Sequence, residues 1–356
     1  MIYQMAKVAA AALLLVGGVV ASASALAGSP DARGTRDEGA LILTASNTAT
    51  NHLLVFNSAG TLLKQIATQG QGGVAGNAGG VAAGEGRVAV VNFGSGNVTV
   101  LAPDGNGRFF RVERVFSTSG SPVSVAFGDH HLYVLTGTTV ESHAVGPWGV
   151  NPSADGQAQL LHADGSAGQV GVLKGQLILT EKSNAVETVR LSASGAIAGR
   201  ASMVANIPSN IDTPLGLVTR GDDAYVTLAH ADETSLVRNG TVLTTTGSVT
   251  QHAPCWLALD GPFLFSANSP SHTVSRYAVY GQKIVQDAAV AAQFNGNPTD
   301  IAYHEGLMAV VDSNGTVSHL TMFNVDQDGN MTASGMATLN GTATNGVAIV
   351  DGNDWR

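Results

Sequence analysis

The sequence holds one cysteine, Cys255, so no internal disulfide can staple the chain. Charge is scarce too, at 12% of residues, and 17 Lys and Arg stand against 26 Asp and Glu. A formal net charge of −9 excludes the basic footprint of a nucleic-acid binder. Hydrophobic residues make up 44%, which excludes a disordered chain. Helical spacing is missing from every long stretch after residue 27. The motifs GxSxG and HExxH, a phosphate-binding P-loop and paired cysteines are absent as well. The sequence predicts neither a metal nor a cofactor.

One apolar run stands out, Val8 to Val20. It is shorter than the roughly 20 residues that span a bilayer. Lys7 precedes it, and Ala25-Leu26-Ala27 supplies small residues before Gly28. This pattern predicts a cleaved export signal over residues 1–27, with cleavage after Ala27. A secreted or periplasmic protein follows, with no membrane attachment once the signal is removed. Residues 28–38 read as a linker and 353–356 as a tail.

What remains is repetitive. A small or polar start, often ending in Pro, leads into a short apolar strand. A Gly or Asp turn follows, then a second apolar strand, then a third of alternating character. The clearest copy runs Ala253-Pro254-Cys255-Trp256-Leu257-Ala258-Leu259, turns at Asp260-Gly261-Pro262, and continues as Phe263-Leu264-Phe265-Ser266-Ala267-Asn268 and Thr273-Val274-Ser275. The next begins Asn297-Pro298-Thr299-Asp300-Ile301-Ala302. The second strands end at Asn92, Thr136, Glu181, Leu228, Asn268 and Asp312, 40 to 47 residues apart. A seventh copy is divided between the ends of the chain: Thr344–Gly352 supplies its first strand, and Gly39–Ser46 and His52–Phe56 the others. The pattern predicts an all-β, seven-bladed propeller over residues 39–352, its ring closed by strands from both termini. Cys255, at an apolar strand start, is expected to be a buried structural thiol.

These strand-start motifs, with Ser121-Pro122-Val123-Ser124-Val125-Ala126, resemble the lactonase-type seven-bladed propellers. Those include the 6-phosphogluconolactonase-like and 3-carboxymuconate-cyclase-like proteins. The resemblance covers most of residues 40–352. It implies hydrolysis or formation of a small lactone at the axial funnel.

In a propeller, function gathers on the face where loops lead into the inner strands and leave the second strands. Glu181 takes the slot held elsewhere by Asn92, Asn268 or Asp312, and is the first candidate acid or base. His230 and His252 are candidate proton-transfer partners. Asn47, Asn92, Asn268, Asp312 and Asn345 are candidate ligand-binding residues. An Asn- and Thr-rich rim without Arg equally fits a non-catalytic propeller that binds a protein, a glycan or a small ligand. In both cases the partner is a ligand at this upper face of a monomer. Asp326-Gln327-Asp328-Gly329-Asn330 begins like a calcium loop but lacks the later Glu, and reads as a hairpin.

Overall fold

The computed structural model describes residues 39–74, 79–207, 213–340 and 344–351. The expected signal, linker and tail lie outside them. The described residues form seven antiparallel sheets, each the blade of a propeller. Two single 3-10 turns, Phe93–Ser95 and Ala229–Ala231, are their only helical elements. No helix among the described residues is long and apolar enough to cross a membrane.

The innermost strands of blades 1 to 7 are Asn345–Asp351, Val81–Gly84, Pro122–Gly128, Ala167–Leu173, Pro214–Arg220, Pro254–Asp260 and Asn297–His304. The second strands are Ala40–Ala45, Arg87–Asn92, His131–Thr136, Gln176–Glu181, Asp223–Leu228, Phe263–Asn268 and Leu307–Ser313. These second strands are almost wholly buried. Each lies between two neighbouring blades and is covered on both faces, which is why it reads as a continuous run of Val, Leu, Ile and Ala.

A fourth, outer strand completes each blade, and the repeat did not reveal it. Leu62–Ala67 is half exposed, and in blade 4 the strand shrinks to Ser202–Met203. In blade 3, Gly149–Val150 and Gly156–Gln159 share the place. With one face in water, such strands carry no apolar run to read.

Apolar clusters bind every neighbouring pair of blades. Val55 meets Val88 and Leu101 between blades 1 and 2, and Ile178 meets Leu217 and Val226 between blades 4 and 5. Between blades 7 and 1, Val311 and Leu320 pack with Ile42 and Ile349. The ring closes within blade 1, where Ala40 to Thr44 pair with Asp351 to Val347. Thr44 Oγ1 donates to the Gly346 carbonyl at 2.6 Å. Gly346 has φ +80°, and a Cβ there would sit 2.4 Å from the Val81 nitrogen of blade 2. Glycine alone fits that approach. Cys255 is buried, and burial raises its thiol pKa.

Candidate functional site

The second strands end on the upper face in a recurrent polar latch. Asn92 is fully buried. Its amide donates to Asn97 Oδ1 and Thr99 Oγ1 and accepts from Thr68 Oγ1 and Asn51 Nδ2. Asn268 repeats this in blade 6, donating to Thr273 and Ser275 and accepting from Ser266. In blade 7 the latch pairs a carboxyl with an imidazole: Asp312 Oδ2 lies 3.2 Å from His319 Nδ1. Burial raises the Asp312 pKa against the pull of His319. Asn47 ties one loop to the next blade, its Oδ1 accepting from Gly73 and Val74 and its Nδ2 donating to the Val74 carbonyl. Asn345 begins the closing strand, and its side chain lies outside the described ones.

The three candidate catalytic residues stand in separate settings. Glu181 is wholly buried in blade 4 beside Glu187, which is buried too. Burial first, and the Glu187 carboxyl second, push its pKa far above the carboxylate range. His230 is exposed, its Nδ1 2.8 Å from Thr213 Oγ1. His252 is 71% exposed, with Nδ1 held 2.8 Å from Asp232 Oδ2. Asp232 also accepts the Ala253 N–H. Among the described residues no hydrogen bond joins Glu181 to either histidine.

A further concavity lies elsewhere, along the axis. The innermost strands enclose a channel of about 510 Å³. Ala83, Phe127, Val172, Leu259, Ala302 and Ile349 supply apolar side chains to its wall. Tyr303, His304, Thr219, Gln169 and Asp300 supply polar groups, and among the described residues no Lys or Arg lines it. The innermost strand is bulged near its start in six of the blades. A bulge breaks the ladder and re-aims a residue. The N–H groups so freed find acceptors at the upper mouth. Ser124 Oγ accepts from Val170, and Gln169 Oε1 accepts from Leu217.

Asp300 is the charged member of this ring. Its Oδ1 accepts from Ile301 N–H at 2.8 Å, and its Oδ2 from Gly79 N–H at 3.3 Å, which lies in the segment leading to blade 2. The Val347 amide also favours its charged form. Burial outweighs these donors and pushes Asp300 up to about 7. Gly79 has φ +65°, and a Cβ there would meet Ser124 Oγ at 2.8 Å, so glycine keeps this N–H in place.

Sequence reasoning passed over Asp300, although a signal was present. Superposing the strand starts gives one column: Gly80, Ser124, Gln169, Gly216, Trp256, Asp300 and Gly346. Asp300 is its single carboxylate. Asp326 accepts from the N–H groups of Asp328 and Asn330, which is the hairpin expected there.

No protein-family model and no curated protein sequence matches the chain. Solved structures do. The periplasmic gluconolactonase of Pseudomonas aeruginosa superposes with a TM-score of 0.63 at 15% identity, over 87% of this chain and 99% of that one. A candidate 6-phosphogluconolactonase of Bacteroides fragilis gives 0.62 at 13% identity, over 89% and 99%. A catalytically inactive variant of virginiamycin B lyase from Staphylococcus aureus, solved with quinupristin, gives 0.56 at 12%, over 78% and 92%. At such identities the likeness is one of fold, the seven-bladed β-propeller.

Proposed function

We propose that this protein hydrolyses a small, uncharged lactone at the upper mouth of the axial channel, with Asp300 as general base. The observation that carries this reading is a buried carboxyl, pKa about 7, lining the channel. A base with that pKa is partly ionised at neutral pH and still basic enough to take a proton. The gluconolactonase named above, which shares the fold, adds support.

In the reaction, Asp300 removes a proton from water as the oxygen attacks the lactone carbonyl carbon. The ring C–O bond then breaks. The proton held by Asp300 passes to the departing ring oxygen, and a hydroxy acid is left. Among the described residues the channel wall has no Lys or Arg to meet a phosphate, which favours an uncharged lactone over a phosphorylated one.

A second reading rests on the Asp232–His252 pair. A carboxylate at Nδ1 orients the ring and leaves Nε2 facing solvent, the arrangement of an exposed general base. His230 and Glu181 belong to that reading.

The test is turnover of a panel of sugar δ-lactones and aliphatic γ-lactones. Asp300→Asn should lose at least about 100-fold in kcat. Full activity in that variant sinks the channel reading. Its loss in the combined Glu181, His230 and His252 variant would move the base to the rim. Saturable calorimetric binding without turnover identifies a binding protein instead. The apolar run Val8–Val20 followed by Ala25-Leu26-Ala27 supports an exported protein, and we propose that it is a monomer. Cell fractionation with N-terminal sequencing, and light scattering, check those two points.

A further inference from the structure

Blade 4 carries a polar cluster that channel chemistry does not use. Its latch slot holds Glu181, and the third strand, Ala185–Arg190, contributes Glu187 where blade 2 has Thr99 and blade 6 has Ser275. In those blades an amide meets hydroxyls and every group is paired. In blade 4 a carboxyl meets a carboxyl. Neither side chain has any exposure.

The hydrogen-bond accounting does not close. Glu187 Oε1 accepts the Leu161 N–H at 2.9 Å. Both oxygens of Glu181 and Oε2 of Glu187 are buried with no partner in full hydrogen-bond geometry, and the nearest groups to Glu181 are the Glu187 carboxyl and the His162 backbone N–H. The His162 imidazole stands 3.9 Å from Glu181 Oε2, beyond hydrogen-bond reach, and its Nδ1 is 3.2 Å from Ser183 Oγ. Asp164, nearby, deepens the negative potential. Buried oxygens normally have partners, and buried charge is paired or binds a metal. Three orphaned carboxyl oxygens in one buried spot therefore point to a positive species between them.

We propose that Glu181 and Glu187 bind a hard divalent cation inside blade 4, beneath the segment Leu160–Ser166. The donors are oxygens, with no thiolate, which selects Ca2+ or Mg2+ over softer metals. His162, its side chain 40% exposed, sits over the pair at the surface and marks the path from solvent. Binding needs both carboxyls ionised, so affinity rises with pH. The cation would tie the second and third strands of blade 4 to the segment arriving from blade 3. That is where the outer strand is shortest, two residues at Ser202–Met203. The role is structural and independent of the reaction proposed at Asp300.

The test uses the full chain after chelation and dialysis at pH 8. CaCl2 and MgCl2 are titrated in turn, with binding heat and thermal unfolding as readouts. One cation per chain, and a midpoint raised by about 5 °C, are expected. Glu187→Gln should abolish that rise while unfolding no lower than the cation-free wild type, because the amide removes the carboxyl repulsion. Should this variant fail to fold, Glu181→Gln takes its place, and binding heat in the wild type alone still decides. A wild type that binds neither cation, and whose midpoint only climbs as pH falls from 9 to 6, holds a shared proton and overturns the proposal. A variant that keeps the full rise places the cation elsewhere and overturns it too.

Discussion

Single residues divide into those that finish the fold and those left poised. Asn268 belongs to the first group. Its carboxamide meets three side chains in a fully buried setting. Asn268→Ala takes the acceptor from the Ser266 hydroxyl and the donor from Thr273 and Ser275, and should cost about 1–3 kcal/mol, read by chemical denaturation. Asp300 belongs to the second. Its pKa rises on folding, from 3.8 to about 7. Between those values the folded state binds the proton and the unfolded state does not. Stability therefore falls as pH climbs from about 4 to about 7. Asp300→Asn removes this slope. The wild type should lose up to roughly 4 kcal/mol relative to the variant across that window, measured by denaturant unfolding at each pH. A constant difference would mean that Asp300 is ionised throughout.

At the scale of strands, burial decides what can be read from sequence. The second strands were legible because both faces are covered, as in Leu177-Ile178-Leu179 and Val88-Ala89-Val90-Val91. The outer strands were not, because Leu62–Ala67 and Lys283–Gln293 are mostly exposed or half-buried, so their apolar residues follow no core-facing pattern. The divided blade was legible through Val347-Ala348-Ile349-Val350, an inner strand with no partner beside it in sequence. The latch slots could be found by spacing, but their partners could not. That Glu181 faces Glu187 depends on which side of the third strand a residue takes, and Ala185, Val186 and Glu187 look alike as a run. The closing strand makes its own prediction. Val347, Ile349 and Val350 are buried, and each contributes about 1.5–3 kcal/mol. Their sum rivals the whole stability of an ordinary domain. A chain ended at residue 343 should therefore lose its cooperative unfolding transition by circular dichroism. A transition unchanged from the full chain would mean that the ring does not need its closing strand.

For the whole molecule, seven blades pointing their strand starts at one axis turn small sequence differences into a site. Six members of the mouth column are Gly, Ser, Gln or Trp, and one is Asp300. The ring places that carboxyl in the channel, against amides from two other blade starts. No local motif encodes this, because Gly79 and Asp300 are 221 residues apart. The polar rim, by contrast, was read from spacing as a place to bind. The structure shows Asn92 and Asn268 spent on the neighbouring third strands of their own blades, and its open groups are the histidines. The most direct measurement is the pH dependence of kcat/KM for a sugar δ-lactone, corrected for spontaneous hydrolysis, in the wild type and Asp300→Asn. The wild type should rise to a plateau with an apparent pKa near 7, and the variant should be flat and at least about 100-fold lower. The same profile and the same rate in both proteins would contradict the assignment of Asp300.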